Sequence, residues 1–314
     1  MRTGIGVDLG GTKILGIIMR EDGEILQRAE GQTGDPSSEK EVLKSLFAVI
    51  ESLLRQGSAS SIGIGCAGPD DFEKQIVVTS PNLPFIKNYP LKKLVEERFG
   101  IPTLVDNDVK TAALGELIFG EGKSLQPFFF ITLGTGIGGA LVSEDRIFRG
   151  ISNMAGEIGH VVLNLESKER CGCGKYGCFE ILASGIAVRR YTLRSLESGA
   201  CSVLQGTPAE KIDARLIAEK AREGDKIARQ AYHQAAYWIG VAFSCLVQLL
   251  NPRAIIIGGG MSEAWDLMED RVLEVLYTLT MEYPLKHLEI RRSLLGNMAG
   301  VMGAAFLGLM GIKA

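Results

Sequence analysis

GVDLGGTKILGIIM, residues 6–19, and FITLGTGIGGALV, residues 130–142, are two versions of one pattern. Each is an apolar strand that runs into Leu-Gly, a threonine and further small residues, and then into a second apolar strand. Glycines in such a turn let bare N–H groups come close to a ligand, because no Cβ stands in the way. A strand follows the second turn where a dinucleotide-binding fingerprint would have a helix, which argues against a Rossmann site. So wide a separation is too long for a solenoid repeat and predicts two similar domains.

Working outward from the first hairpin, Asp22-Gly23 is a hairpin signal leading to a third strand over 24–33. Ser37–Leu54 has a helical apolar rhythm, and Ser38 with Glu41 resembles a capping box. Ile62–Cys66 reads as a buried strand, Leu91–Phe99 as a helix ended by Gly100, and Thr103–Asp106 as a strand. Three strands, helix, strand, helix, strand make an α/β module. Beyond the second hairpin, helices are expected over Glu180–Leu196, Asp213–Arg222 and Asp225–Leu250. Ala254–Ile257 is a buried strand ending in three glycines.

Composition sets the frame. At ~150 residues per domain, 314 residues suggest about two domains. A hydrophobic share of 46% supports a substantial core, and a net charge of −3 gives no invitation to nucleic acid. The N-terminus enters a strand with no apolar signal core. The longest apolar stretch, Trp238–Leu250, is interrupted by Gly240, Ser244 and Gln248, too much for a membrane span. A cytoplasmic enzyme is expected.

Four constellations carry chemistry. In the first, Asp8 ends a strand before Gly10, Gly11, Thr12 and Lys13. The turn suits a phosphate, and the carboxylate suits Mg²⁺ and its waters. An ordinary hairpin with a chance aspartate would look the same. In the second, Gly134, Thr135 and Gly136 form the matching turn, and Gly258, Gly259 and Gly260 offer a further close-approach site. A plain strand-to-helix turn also accounts for those last three. In the third, Asp106, Asn107 and Asp108 end a buried strand and open a helix. A carboxylate there can take the proton of a hydroxyl attacking a γ-phosphoryl group. Helix capping accounts for one of these residues but not readily for three. In the fourth, His160 precedes Cys171, Cys173 and Cys178. That Cys₃His set matches a closed structural zinc site, and the absence of Cys-x-x-Cys spacing argues against a redox pair.

Together DLGGTK (8–13), NDVKTAALGE (107–116), LGTGIGG (133–139), AGEIGH (155–160) and CGCGKYGCFE (171–180) resemble the ROK family of repressors, open reading frames and sugar kinases. The resemblance runs in order over nearly the whole chain. It implies an actin-like, hexokinase-like (ribonuclease H-like) duplicated α/β fold with a central cleft. The smaller domain would be 1–110 with 299–314, and the larger, carrying the zinc loop, 111–298. It implies ATP-dependent phosphorylation of a hexose 6-hydroxyl, with D-glucose expected first and N-acetylmannosamine, N-acetylglucosamine or another hexose as alternatives.

Residue by residue, the resemblance implies Asp108 as catalytic base. Asn107, Glu157, His160 and Glu180 would bind sugar hydroxyls, with Gly68 and Asn82 on the sugar-side wall. Asp8, Gly10, Gly11, Thr12, Lys13 and Gly134–Gly136 would hold Mg²⁺ and phosphates, and Gly258–Gly260 would border the adenosine. His160, Cys171, Cys173 and Cys178 would hold structural Zn²⁺. A homodimer or homotetramer is implied, with neither nucleic acid nor membrane as partner. The chain departs from the common pattern at Val109, Lys110 and Thr111, where many members have small residues, and at Phe85-Ile86, where many glucokinases have Gly-Trp. The rival class is a sugar-sensing repressor. Its DNA-binding domain would precede DLGGTK, and Asp8 stands too near the start for a helix-turn-helix.

Overall fold

A computed structural model describes residues 1–311. It opens with an antiparallel meander of β1 (Thr3–Leu9), β2 (Lys13–Arg20) and β3 (Ile25–Gln32), followed by α1 (Glu39–Leu54) and β4 (Ser61–Cys66). Three short strands, β5 (Asp70–Asp71), β6 (Ile76–Thr79) and β7 (Lys87–Tyr89), form a small sheet of their own. Then come α2 (Leu91–Phe99), β8 (Thr103–Asn107) and α3 (Asp108–Phe119). The pattern restarts with β9 (Phe128–Leu133), β10 (Ile137–Ser143) and β11 (Arg146–Phe148). Four helices follow: α4 (Phe179–Ala183), α5 (Gly185–Glu197), α6 (Ala214–Arg222) and α7 (Lys226–Leu250). The last elements are β12 (Ala254–Gly258), α8 (Glu269–Leu279), α9 (Glu282–Leu285), β13 (Glu289–Arg292) and α10 (Ala299–Met310).

The two five-stranded sheets have the orders β3-β2-β1-β4-β8 and β11-β10-β9-β12-β13. Each places its third, second and first strands side by side and then adds two more beside the first. The repeat legible at 6–19 and 130–142 is thus a repeat of topology.

By its contacts the chain divides into two compact units. The first comprises 1–130, 140–156 and 293–314, and the second 131–139 and 157–292. The boundary expected at 110 falls inside the first unit, because α3 packs along α10.

Side-chain alternation explains the layers of the first unit. Ile5, Val7, Leu9, Ile14 and Ile18 face α1 through Leu46, Val49 and Ile50. The alternate residues Leu15, Ile17 and Met19 pack with Val301, Met302 and Ala305 of α10. Burying each such aliphatic side chain contributes roughly 1.5–3 kcal/mol. The approach of α10 is so close that a Cβ on Gly63 would collide with the Ala304 carbonyl, and one on Gly303 with the Thr111 carbonyl.

Helix ends follow their signals. Ser38 caps α1 by accepting from the Glu41 N–H, and Gly100 ends α2 in the left-handed conformation at φ 67°. Asp213 and Asp225 cap α6 and α7. One expected helix is two. The stretch 180–196 breaks at Ser184, where the Gly185 N–H leaves the helical ladder to donate to the Gly134 carbonyl at 2.8 Å. Among the described residues no helix is long and apolar enough to cross a membrane.

Candidate active site

In the first unit, the site residues gather at the C-terminal ends of β1, β4 and β8. The register puts Asp8, Gly65 and Asp106 side by side on neighbouring strands. The first turn of α3 lies on Gly65: a Cβ there would come 2.6 Å from Thr111 Oγ1 and 3.5 Å from the Asp108 Cα. This seating brings Asp108 toward Asp8. Burial, and then the charge of Asp108, push the Asp8 carboxyl up to about 6. Asp8 also lies by the start of α10, since a Cβ on Gly300 would be 3.6 Å from its Oδ2.

The three polar residues that end β8 have separate duties. Asn107 is the N-cap of α3: its Oδ1 accepts from the N–H groups of Val109 and Lys110, and its Nδ2 donates to the Gly68 carbonyl at 3.1 Å. Asp106 is buried in an ion pair with Arg149. Asp108 opens the helix, and its Oδ1 accepts from the Val109 N–H at 3.0 Å. Capping and ion pairing therefore account for two of the three.

Gly68 is at φ 112°, and any Cβ there would strike the Thr79 carbonyl. Gly10 donates its N–H to the Lys13 carbonyl at 3.1 Å, which closes the first glycine turn. A Cβ on Gly11 would sit 2.9 Å from Asn82 Cβ, so the phosphate-type turn and the expected sugar-side residue Asn82 are adjacent.

In the second unit the matching turn closes through Gly134 N–H to the Gly136 carbonyl at 3.0 Å. Glu180, in the first turn of α4, accepts from the Ile137 N–H at 3.0 Å, and a Cβ on Gly136 would be 2.5 Å from its Oε2. The same carboxylate reaches the cysteine loop, with Oε1 3.6 Å from Cys171 Sγ. Glu157 immediately precedes the short 3₁₀ turn Ile158–His160. Gly159 packs so closely on β10 that a Cβ would strike the Ile137 carbonyl.

A cavity of about 690 Å³ opens beside Gly134, Thr135 and Gly260. Its walls include Ile186, Arg189, Asp213, Arg215, Met261 and Glu263, which sequence reasoning did not single out. These residues come from α5, α6 and the turn after β12, and no local motif links them. Gly259, at φ 82°, lies against the Leu133 carbonyl, and Gly258 is the last residue of β12.

His160, Cys171, Cys173 and Cys178 come together as expected. One ligand atom from each lies within 4.8 Å of all the others. Cys171 Sγ is 3.6 Å from His160 Nδ1, and Cys173 Sγ is 3.6 Å from Cys178 Sγ. Zn–S bonds of about 2.3 Å at tetrahedral angles put sulfurs roughly 3.8 Å apart, so the set fits zinc.

A duplicated α/β fold with glycine turns and an aspartate at a strand-end helix defines a sugar-kinase-like class. The ROK family model matches residues 4–310, and the chain belongs to that family. It is 34% identical over 310 residues to a glucokinase of Streptomyces coelicolor, covering 96% of each chain. A ROK family glucokinase from Streptomyces griseus, solved in complex with glucose and AMPPNP, superposes with a TM-score of 0.87 at 34% identity, over 98% of this chain and all of that one. The N-acetylmannosamine kinase of Shigella boydii serotype 18 is 30% identical over 308 residues, covering 97% of this chain and 98% of its own. The fold is that of the actin-like sugar kinases, and the protein is a hexose kinase of this family.

Proposed function

We propose that the protein transfers the γ-phosphoryl group of ATP to the 6-hydroxyl of D-glucose, with Asp108 as the base. The observation that carries this reading is the seating of Asp108 on Gly65, beside Asp8, at the carboxyl ends of β1, β4 and β8. Asp108 accepts the hydroxyl proton as O6 attacks phosphorus, and the bond to the ADP oxygen breaks in line. Asn107, Glu157, His160 and Glu180 hold the remaining sugar hydroxyls, with Gly68 and Asn82 beside them. The turns at Gly10–Lys13 and Gly134–Gly136 supply N–H donors to the phosphates. The cavity beside Gly260 takes the adenosine, with Gly258 and Gly259 shaping its edge.

Two acidic groups as close as Asp8 and Asp108 suit a divalent cation, whose charge offsets their mutual repulsion. Asp8 would hold Mg²⁺ and its waters, and the ion would neutralise charge on the phosphates. His160, Cys171, Cys173 and Cys178 would hold a structural zinc, filling all four positions so that none is left for a reacting water. In this reading the zinc fixes the loop that carries Glu157 and Glu180. The enzyme would act in the cytoplasm, at the entry of glucose into metabolism, as a homodimer or homotetramer measurable by light scattering.

A coupled assay with ATP and a panel of glucose, mannose, N-acetylglucosamine and N-acetylmannosamine tests this. The highest kcat/KM is expected for glucose. A preference for an acetylated sugar, as the name of the Shigella relative invites, would overturn the substrate and keep the kinase. No turnover with any hexose would overturn the activity.

A further inference from the structure

Behind Asn107 and Asp108 lies a buried charge cluster that the proposed chemistry does not use. Arg149, in the loop after β11, forms a two-pronged pair with Asp106: Nη1 to Oδ1 at 3.0 Å and Nη2 to Oδ2 at 2.8 Å. Its guanidinium stacks on the Phe72 ring, 3.5 Å from the centroid. Nη1 also donates to Asn153 Oδ1 at 3.0 Å, and Asn153 Nδ2 donates to Asp70 Oδ1 at 2.7 Å. Lys110 of α3 is also buried in this first unit, and its charge acts on Asp70. Two acids and two bases thus share one buried region.

Such a cluster is expensive to bury, and well-packed apolar side chains of similar volume are often as stabilising. Its geometry suggests another use. Asp106 Oδ1 accepts the backbone N–H of Asn107 at 2.9 Å, while Arg149 holds the same carboxylate in a plane. Asn107 in turn caps α3 and holds the Gly68 carbonyl. Asn153 is in the left-handed conformation at φ 57°, uncommon for a residue other than glycine, and its amide bridges Arg149 to Asp70. Burial and the charge of Asp106 raise the Asp70 carboxyl, against the lowering effect of Lys110 and Arg149.

We propose that Arg149 is a positioning residue: through Asp106 and the Asn107 N–H it fixes the start of α3, and with it the angle at which Asp108 meets the substrate hydroxyl. This inference rests on the reading of Asp108 as the base. Misplacing a reacting group by about 1 Å can cost ~10²-fold in rate.

The test is steady-state kinetics of purified full-length Arg149→Gln, Arg149→Lys, Asp106→Asn, Asn153→Gly and the Arg149→Gln/Asp106→Asn double variant. For Arg149→Gln, kcat is expected to fall by at least ~10-fold with KM for ATP unchanged, and Arg149→Lys to recover only part, since an ammonium lacks the planar fork. The double variant is expected to lose no more than the worse single one, because both break one coupling. Asn153→Gly guards against misfolding, since glycine accepts φ 57° without strain. Loss of the amide leaves Asp70 Oδ1 and Arg149 Nη1 each short of a partner, so a modest fall in melting temperature is expected, with the variant still folded at assay temperature while kcat falls. A kcat within two-fold of wild type in folded Arg149→Gln or Asn153→Gly overturns the proposal, as do losses that multiply in the double variant. A wild-type enzyme with no hexose kinase activity would instead sink the function on which it rests.

Discussion

The two glycine hairpins share a place in topologically equal sheets and differ in the residue just before their Leu-Gly. In the first it is Asp8, whose charge is opposed by burial and by Asp108. In the second it is Thr132, whose Oγ1 accepts from the Gly138 N–H at 3.2 Å within its own hairpin. One copy carries a strained charge. The other keeps its polar atom for itself and opens a cavity beside its turn. The same turn occurs twice, and the strand-end side chain that precedes it differs.

The sharpest way to break that contrast is Asp108→Asn. Turnover is expected to fall by ~10²–10⁴-fold, with glucose binding still measurable by calorimetry. Retention of near wild-type turnover would remove the base from the charged copy. Next in size is Cys173→Ser. Bound zinc, expected at one per chain by elemental analysis, should drop to near zero, and the melting temperature should fall, by roughly 2 °C for each kcal/mol the site contributes. Unchanged melting and full activity would count against a structural zinc.

Asp8→Asn separates stability from function. The raised Asp8 pKa means that the folded state binds a proton more tightly than the unfolded one. Stability from this group is therefore greatest at low pH, falls as pH rises from about 4 to about 6, and is flat above. At neutral pH, without Mg²⁺, the variant should melt higher than wild type, by up to ~3 kcal/mol at 1.36 kcal/mol per pKa unit. The difference should vanish near pH 4, and Mg²⁺-dependent activity should fall. A lower melting temperature for the variant would mean that Asp8 is stabilised by its surroundings. The smallest effect belongs to Thr132→Val, which removes one hydrogen bond worth about 0.5–1.5 kcal/mol and should leave turnover close to wild type.

What could be read in advance was what the chain encodes locally. The hairpins, the caps at Ser38 and Gly100 and the four zinc-type ligands each sit within a few residues of their signals. The small sheet of β5–β7 was missed because strands of two to four residues leave no periodicity to detect. The break at Ser184 was missed because its cause is Gly134, fifty residues away in sequence. The Arg149 cluster was invisible for the same reason, since its partners come from β5, β8, α3 and the loop that follows β11. Asn107 shows the opposite limit: its local signal, helix capping, was real, while its hold on the Gly68 carbonyl left no mark in the sequence.

The glycine-lined seat of α10 has a consequence for synthesis. The face formed by Gly6, Gly63, Leu15, Ile17 and Met19 is emptied of large side chains or left apolar for one partner only, and that partner lies about 280 residues further along the chain. During synthesis the strand that carries Asp8 and the helix that carries Asp108 wait without this cover until residues 299–310 emerge. Residues 157–292, by contrast, are already all present. Closing so long a loop is slow, and the waiting sheet offers an exposed apolar face to its neighbours.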